Sequence, residues 1–273
     1  MFLAGDAAHV HSPAGGQGMN TGMQDACNLA WKLALVRAGR ARDSLLDTYS
    51  SERSAVGEAV LRNAGNMTRM ATMRNPIAQQ LRRRLVPLIA SLEFVQSRFK
   101  ATLAELSIEY GSSPLSGEHR GLSAHAWLLG GGVAPGGRAL DAEVGDARTG
   151  TPTSLFAALR GTRHVLLLLS GADPDAARIA KLLDASRTIT RRFGDTIVPL
   201  LVVAAAAAPA DVPASLRVLL DPELALHRRY AAGVETLYVV RPDGYVGFRS
   251  QPVDAASACA HLERYLIPTG STS

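Results

Sequence analysis

A glycine-rich segment near the start of the chain constrains its fold more than any other feature. Residues 2–20 read Phe-Leu-Ala-Gly-Asp-Ala-Ala-His-Val-His-Ser-Pro-Ala-Gly-Gly-Gln-Gly-Met-Asn, and periodic apolar positions after them predict a helix over about residues 18–38. We expect a short strand that ends at Gly5 and Asp6, then a loop, then the helix. Glycines let a ligand approach the backbone closely, and a helix N-terminus offers free N–H groups and a positive dipole end. The segment therefore predicts a pocket for a large, oxygen-rich ligand whose hydroxyls Asp6 binds; a plain turn between strand and helix is the alternative.

The composition is that of a globular protein of about two domains. The chain has 273 residues, of which 47% are hydrophobic and 19% charged, so it can bury a sizeable core without disulfides or metal staples. The longest apolar run, residues 197–208, contains Pro199 and is too short to span a bilayer. The first six residues carry an acid and no basic residue, which argues against a secretory signal. We expect a cytoplasmic protein with no membrane partner.

The charge and the cysteine content argue against further classes of function. The net charge is +5, and the densest basic cluster, Arg82 to Arg84, has no interleaved aromatic residue. We interpret it as a solvated helix face and expect no nucleic-acid partner. The two cysteines, Cys27 and Cys259, form no C-x-x-C pair, which fits a reducing compartment and argues against a zinc site or a dithiol redox centre.

Three stretches of the chain differ in character. Residues 1–109 contain the glycine-rich segment and long helices, residues 110–160 are rich in Gly, Pro and Ser, as is typical of a wrapping linker, and residues 161–273 alternate strand and helix signals. The last stretch predicts an α/β domain. Its predicted elements are a strand 164–169, a helix from Asp173-Pro174 to about 186, a parallel strand 196–204, a helix 222–232, strands 236–240 and 245–249 around the turn 241–244, and a helix 255–266.

Helical periodicity organises the first stretch. A second helix is predicted from about residue 44 to residue 75, where Pro76 ends it, and a third carries the arginine triplet. Apolar and aromatic residues at helical spacing are expected in the core. They are Met23, Cys27, Ala30, Trp31, Ala34, Leu35, Tyr49, Val56, Val60 and Leu61.

The glycine-rich segment and the helix after it resemble a known motif. The similarity is to the second flavin-binding motif of the FAD-dependent aromatic hydroxylases, the single-component flavoprotein monooxygenases related to para-hydroxybenzoate and phenol hydroxylase. The matching residues, in order and without gaps, are Gly5-Asp6-Ala7-Ala8-His9, Pro13, Gly15-Gly16-Gln17-Gly18-Met19-Asn20-Thr21-Gly22, Asp25-Ala26 and Asn28-Leu29-Ala30-Trp31-Lys32-Leu33, continued by Tyr49, Glu52 and Arg53.

Residues 161–273, with the turn Arg241-Pro242-Asp243-Gly244, resemble the thioredoxin-like C-terminal domain of the phenol-hydroxylase branch. The resemblance thus covers essentially the whole chain. It implies an α/β fold in which the helical C-terminal part of an FAD-binding domain is followed by a thioredoxin-like α/β domain.

The resemblance also implies an FAD site and the residues that form it. FAD would be reduced by NADPH or NADH and would react with O2 to hydroxylate a phenolic or polyketide-like aromatic ring. Asp6 would bind the ribityl hydroxyls, Gly5 would leave room beside the pyrophosphate, and Pro13 would lie beside the isoalloxazine ring. The N–H groups that would face the flavin N1–C2=O edge, where reduced flavin carries negative charge, belong to Gly18, Met19 and Asn20.

The chain departs from the family pattern in several respects, among them the lack of the family's mid-chain Asp-Gly motif and of most of the substrate sheet. Complete members begin with a strand, a G-x-G-x-x-G turn and an acid that binds the adenosine ribose. No such unit occurs here, and the nearest glycine cluster, residues 130–136, has the wrong spacing. We therefore expect the C-terminal half of such an enzyme, inactive in isolation, and the sequence identifies no catalytic acid or base. Helices without their usual partner expose apolar surface, which predicts self-association, for example as a homodimer.

Two other classes of function stay open at this point. His9-Val10-His11 after a strand resembles the H-x-H metal pair of amidohydrolase barrels, which would make the chain a metal-dependent hydrolase that uses His9 and His11. The remaining histidines do not supply the further ligands that such a barrel needs. The second alternative is a non-catalytic thioredoxin-like module for packing or dimerisation, because the loop after its first strand, residues 170–174, contains no cysteine.

Overall fold

In the computed structural model of the protein, residues 1–9, 18–58, 108–121 and 131–270 are described. None of the helices among these residues is long and apolar enough to cross a membrane. The end of the predicted second helix, the predicted third helix with its arginine triplet, and Pro13 lie outside the described residues.

The chain divides into two units, each assembled from two stretches of sequence. The first, called the helical unit below, comprises Met1–Ala30 and Tyr49–Ile108; the second, called the sheet unit, comprises Trp31–Thr48 and Glu109–Ser273. Helix α1 (Gly18–Arg37) runs from the first unit into the second. The composition had predicted a different division, at residues 109 and 160.

Helix α1 confirms the helix predicted over residues 18–38, and Gly39 follows it in the left-handed region with φ +66°. A second helix, α2, is described over residues 47–58 after a turn of 3-10 helix at Asp43–Leu45, so it begins a few residues later than predicted. The strand predicted before Gly5 is wrong. Residues 1–4 form no strand, since none of the described strands lies beside them to share ladder hydrogen bonds.

The sheet unit is built on a mixed sheet, eight-stranded among the described residues. In chain order its strands are β1 (Gly117–Arg120), β2 (Glu143–Asp146), β3 (Pro152–Ser154), β4 (His164–Leu169), β5 (Ile197–Val203), β6 (Arg217–Leu220), β7 (Thr236–Val240) and β8 (Val246–Gln251). They lie in the spatial order β1-β8-β7-β4-β5-β6-β2-β3. The helices of this unit are α3 (Leu155–Ala158), α4 (Ala176–Phe193), α5 (Ala225–Arg229) and α6 (Ala255–Leu262), with a 3-10 turn at Gly194–Thr196.

The central strands confirm the predicted order of elements. β4 pairs with β5 in parallel, and α4 joins them. β7 is antiparallel to both β4 and β8, so the predicted hairpin is confirmed. Helix α4 begins after Asp175, whose side chain accepts the N–H of Arg178, and it runs one to two turns further than predicted, to Phe193. The thioredoxin-like character of this unit stays a prediction.

Residues 110–160 are part of the sheet unit and not a wrapping linker between folded parts. β1 lies at one edge, parallel to β8, and β2 lies between β6 and β3 near the other edge. These strands have three or four residues each and contain Gly, Pro and charged residues. Their pairing depends on backbone hydrogen bonds more than on an apolar pattern, so composition alone does not reveal them.

The core of the sheet unit lies on both faces of the sheet. Alternate residues of β4 point to opposite faces of the sheet. Leu166 and Leu168 pack under α4 and α6, whereas Val165 and Leu167 pack with residues of α5 and of the segment 133–155. Trp31, 5% exposed, belongs to the first of these clusters, which confirms its predicted burial. The C-terminal part of α1 is therefore anchored by the core of the sheet unit.

Candidate functional site

The Gly-Asp turn of the helical unit lies directly against helix α1. Residues Gly5–Ala7 form a 3-10 turn, closed by the N–H groups of Ala8 and His9, which donate to the carbonyl oxygen of Gly5 over 2.8 and 3.0 Å. Gly5 has φ +60°, which favours glycine. A Cβ atom added to Gly22 of α1 would lie 3.3 Å from the Gly5 Cα atom. Glycine at both positions allows this close approach of the two backbones.

The carboxylate of Asp25 holds this turn at both ends. Its Oδ2 atom accepts the Gly5 N–H over 2.9 Å and lies 2.8 Å from His9 Nε2. Its Oδ1 atom accepts the Nε–H of Arg53 over 2.6 Å. Asp25 is 1% exposed and lies one turn after Gly22 on α1. One buried side chain thus connects the turn, α1 and α2.

The charge state of Asp25 follows from these contacts. Burial pushes the pKa of its carboxyl upward, but hydrogen bonds from Gly5 and Arg53, together with the Arg53 charge, outweigh burial and hold the pKa below its usual range. Asp25 is therefore an anion at neutral pH and accepts hydrogen bonds through both oxygens.

Within the helical unit, the buried face of α1 is its polar face. Thr21, Asp25 and Asn28, spaced four and three residues apart, are at most 1% exposed. Arg53 of α2 also donates to the Thr21 carbonyl oxygen over 3.2 Å, and Asn28 Nδ2 donates to Glu52 Oε2 over 2.7 Å. Hydrogen bonds and an ion pair, rather than apolar contacts, connect the two helices here. In the sequence, Asp25, Glu52 and Arg53 are recognisable only as parts of a motif.

The apolar stripe of α1 faces outward, contrary to the prediction. Met23 is 53% exposed, Met19 is 75% exposed, and Cys27 and Ala30 are also exposed. The expected burial of Met23, Cys27 and Ala30 is wrong because helical periodicity separates two faces of a helix without showing which one is buried. In this unit the polar face finds hydrogen-bonding partners.

The residues predicted to hold a ligand lie at the turn and at the start of α1. Asp6 is exposed in the turn. Gly18, Met19 and Asn20 are the first three residues of α1, whose first turn carries no acidic side chain. Amide N–H groups in the first turn of a helix have no intrahelical acceptor, so this end of α1 suits an electron-rich oxygen. The contact between Gly5 and Gly22 brings the turn and the helix together, while Pro13 lies outside the described residues.

A cavity of about 430 Å³ lies beside the Asp25 network in the helical unit. Leu3, His9, Tyr49 and Arg53 are among the residues that line it. Tyr49 is 6% exposed, as predicted, and its hydroxyl donates to the Leu3 carbonyl oxygen over 2.7 Å. Burial raises the pKa of this phenol. The cavity is of a size that accepts part of a small ligand.

The geometry gives no support to a metal-dependent hydrolase. His9 directs Nε2 toward Asp25, and His11 lies outside the described residues. Among the residues that the structure describes, no group of three or more His, Cys, Asp or Glu side chains is placed to hold a metal ion.

The sheet unit contains a Ser-His-Asp constellation that sequence analysis missed. Ser170 Oγ lies 3.3 Å from His227 Nε2, and His227 Nδ1 lies 2.7 Å from Asp221 Oδ2. These side chains follow the ends of β4 and β6 and come from distant parts of the sequence, so no local motif announces them.

This constellation is structural rather than catalytic. Ser170 is 0% exposed, its hydroxyl lies 2.9 Å from the Gly171 carbonyl oxygen, and it accepts the Ala204 N–H over 3.0 Å. A nucleophile needs access to its substrate, which this burial denies. The Asp221 carboxylate accepts three N–H groups at the start of α5. Burial raises the pKa of this carboxyl, but hydrogen bonds from His227 outweigh burial and hold the pKa below its usual range. The group therefore joins two strand ends to α5.

The chain is similar to a family of FAD-binding domains and to known monooxygenases. Residues 1–64 match the model of a family described as FAD binding domain. Over 98% of its length, the chain is 37% identical to the 6-methylpretetramide 4-monooxygenase of Streptomyces rimosus, of which it covers 44%.

Solved structures give the same result for the fold. CabE, an aromatic hydroxylase from angucycline biosynthesis, matches 96% of the chain with a TM-score of 0.63 and 31% identity, over 44% of its own chain. Aklavinone-11 hydroxylase, solved with FAD and aklavinone, matches 96% of the chain with a TM-score of 0.59 and 26% identity, over 43% of its own chain. The chain spans less than half the length of these relatives. By sequence and by fold, the chain is similar to aromatic monooxygenases over somewhat less than half of their length, and its residues 1–64 match a family of FAD-binding domains.

Proposed function

We propose that the chain forms one wall of the FAD site in a monooxygenase that hydroxylates a phenolic or polyketide-like aromatic ring. The observation that carries this proposal is the Gly5–Ala7 turn, which presents an exposed Asp6 while its backbone lies against Gly22 of α1. A turn of this kind beside a helix offers a carboxylate for ligand hydroxyls and leaves room for a bulky ligand.

Each predicted residue has a distinct task in this site. The Asp6 carboxylate accepts hydrogen bonds from the ribityl hydroxyls, and Gly5 leaves room beside the pyrophosphate. The first amide N–H groups of α1, at Gly18, Met19 and Asn20, face the N1–C2=O edge of the flavin. A positive helix end there stabilises the negative charge of the reduced ring. Pro13 is assigned to the isoalloxazine ring by resemblance to the family.

Bound FAD supplies the redox and oxygen chemistry, with NADPH or NADH as its electron donor. The protein orients the ring and excludes water. An aromatic, polyketide-like substrate is supported by the relatives, which act on 6-methylpretetramide or were solved with aklavinone. The 273-residue chain contains no G-x-G-x-x-G segment for the adenosine end, so we propose that it does not turn over alone. NADPH oxidation with added FAD and phenols at about 1 s⁻¹ or more would contradict this.

We further propose that the sheet unit is a thioredoxin-like packing module without redox activity. The strands β8, β7, β4 and β5 are adjacent in this order, and Ser170, not a cysteine, follows β4. Cys259 lies on α6 and is half-buried against the core. Reduction of insulin disulfides above background would contradict this part of the proposal.

The flavin site is tested by titrating the 15N-labelled chain with riboflavin, which carries the ring and ribityl chain but no adenosine. We expect amide shifts at Gly5, Asp6 and Gly18 to Asn20, and we expect ADP neither to cause these shifts nor to compete. FAD should bind with an affinity close to that of riboflavin. The proposed site would be contradicted if the amide shifts were confined to other residues, or if no shifts occurred at millimolar riboflavin.

A further inference from the structure

Nothing in the comparisons assigns a role to the buried Asp25, yet it has the central place in the helical unit. Its Oδ2 atom contacts Gly5 and His9, which are the two ends of the same five-residue turn. Its Oδ1 atom contacts Arg53 on α2. The exposed Asp6 lies between the two held ends.

We infer that Asp25 is a positioning residue for the flavin-facing turn, holding the backbone of residues 5–9 so that Asp6 presents its carboxylate to the ligand. The inference rests on the proposed function. Asp25 is 1% exposed, and its two carboxylate oxygens are bound to Gly5, His9 and Arg53, so it acts through the turn that carries Asp6 and not by direct contact with the ligand. A binding group whose backbone is fixed in advance pays less ordering entropy when the ligand arrives.

The double contact explains why an acid is needed at position 25. Three donors converge on two carboxylate oxygens: the Gly5 N–H, the His9 ring and the Arg53 guanidinium. Asparagine has one acceptor oxygen, and its NH2 group would face at least one of these donors. Asp25→Asn therefore cannot keep the turn held at Gly5 and His9 while it also binds Arg53.

A matched control is available at a second contact between α1 and α2, which Asn28 makes one turn after Asp25 on α1. Glu52 is 3% exposed and accepts a 2.7 Å hydrogen bond from Asn28 of α1, whereas Asp25 accepts the N–H of Gly5 in the turn. Glu52→Gln, like Asp25→Asn, changes a buried carboxylate between α1 and α2 into an amide. His9→Leu is a milder second variant, because it removes one contact of the turn and leaves Asp25 bound to Gly5 and Arg53.

The experiment measures riboflavin affinity by NMR and hydrogen exchange of the Gly5 amide, at a temperature where every variant is folded. We expect Asp25→Asn to weaken riboflavin binding about tenfold or more, and His9→Leu to weaken it by a smaller factor. Both should speed exchange of the Gly5 amide, and Glu52→Gln should change neither quantity by more than about twofold even if its thermal midpoint falls.

The outcomes separate this inference from the proposed function. If Asp6→Ala weakens riboflavin but Asp25→Asn does not, the positioning role is wrong and the flavin site stands. If Asp25→Asn and Glu52→Gln weaken it equally, Asp25 only supports the helix contact, and the inference also fails. If the wild-type chain shows no riboflavin shifts at the turn, the proposed function fails, and unchanged Gly5 exchange in Asp25→Asn would independently overturn the positioning role.

Discussion

The indole Nε1–H of Trp31 donates a 3.0 Å hydrogen bond to the carboxylate of Asp243, which lies 212 residues further along the chain. Asp243 belongs to the Arg-Pro-Asp-Gly turn between β7 and β8, and it also pairs with Arg241. Such a turn usually lies at the surface. Here Arg241 and the side chain of Asp243 are buried, and the turn is bound to α1 within the sheet unit.

Aromatic rings surround the arginine of this turn. The Arg241 guanidinium lies 5.3 Å from the ring centre of Trp31, 5.4 Å from that of Tyr110 and 5.9 Å from that of Tyr245. Cation–π contacts and the pair with Asp243 together offset the cost of burying a charge that is 2% exposed. The C-terminal part of α1 is thus held by a polar contact as well as by the core.

Trp31→Phe should destabilise the sheet unit by about 2 kcal/mol. Phenylalanine keeps a ring near Arg241 but removes the N–H, so a buried Asp243 oxygen loses a donor. Urea unfolding followed by circular dichroism measures the change. Leu33→Ala, at a 39% exposed position of the same helix, is the control and should cost about 0.5 kcal/mol or less. Equal stabilities of Trp31→Phe and wild type would show that the hydrogen bond contributes nothing.

Buried histidines should make the sheet unit sensitive to acid. Burial, and then the charge of Arg241, lower the pKa of His164 from 6.5 to about 3. Burial also lowers the pKa of His261 to about 4, against the effect of its hydrogen bond to Leu115. At a pH between the pKa of a histidine in the folded chain and its pKa in the unfolded chain, the unfolded chain binds more protons. The free energy of unfolding therefore has its full value above about pH 6.5 and falls as the pH drops toward 4. The slope is about 1.4 kcal/mol per pH unit for each fully linked histidine.

His164→Phe tests this linkage. The ring can keep its edge contact with Trp31 but cannot be protonated, so the variant should lose stability less steeply between pH 6 and pH 4 than wild type does. At pH 7 it should cost about 1 kcal/mol, because Tyr265 loses the His164 Nε2 partner 3.3 Å away. His119→Gln, at an exposed position, is the control. An unchanged acid slope in His164→Phe would exclude His164 as its source.

Sequence predicted most reliably those elements whose pattern reflects burial. β4 is a continuous run of apolar residues after His164 and is buried throughout, and β7 agrees with its predicted bounds. The flanking turn Arg241-Pro242-Asp243-Gly244 identified the hairpin. In these segments local propensity and tertiary burial agree, so a single sequence is sufficient to predict the elements.

The rest depends on contacts between distant residues. Asp25 became the centre of the candidate site only through Gly5, His9 and Arg53, and nothing in its local sequence distinguishes a buried acid from an exposed one. The burial of Met23, Cys27 and Ala30 on α1 was predicted wrongly for the same reason, whereas the burial of Trp31 was predicted correctly. Ser170, His227 and Asp221 meet only because β4, β5 and β6 are neighbours in the sheet.

Asp221→Asn should destabilise the sheet unit by about 3 kcal/mol without any catalytic consequence. The change removes the charge that pairs with buried His227 and weakens the cap of α5. Ser170→Ala should cost about 1 kcal/mol. Asp211→Asn, at an exposed acid in the same unit, should have little effect. Hydrolysis of p-nitrophenyl acetate by wild type that Ser170→Ala abolishes would overturn the structural interpretation.

The exposed apolar stripe of α1 should drive self-association of the 273-residue chain. Met19, Met23, Cys27 and Ala30 lie on one helix face and are exposed, and a second copy can cover this face. The double variant Met23→Gln with Ala30→Gln should shift sedimentation toward the monomer, because glutamine keeps helix propensity and removes apolar area. Ser50→Gln, at an exposed position on α2, should leave sedimentation unchanged. A wild-type chain that is monomeric at about 100 µM, at which weak dimers with micromolar dissociation constants form, would contradict the prediction.

Asp6→Ala should weaken riboflavin binding about ten- to hundredfold. A carboxylate that binds a ligand hydroxyl contributes about 1.5–3 kcal/mol, and each 1.4 kcal/mol changes the dissociation constant about tenfold. Asp6→Asn should cost less, because the amide oxygen still accepts. Asp6 is exposed in its turn, so neither change should lower the thermal midpoint by more than about 2 °C, as is usual for surface positions.

The competing account is that Asp6 only stabilises the loop that follows it. In that case Asp6→Ala would lower the thermal midpoint and leave riboflavin affinity unchanged, which is the opposite pattern. Asp47→Ala removes another exposed carboxylate, on α2, and should change neither quantity. Because affinity and midpoint are measured on the same three variants, a loss of affinity at constant midpoint assigns Asp6 to the ligand, and a loss of midpoint at constant affinity assigns it to the loop.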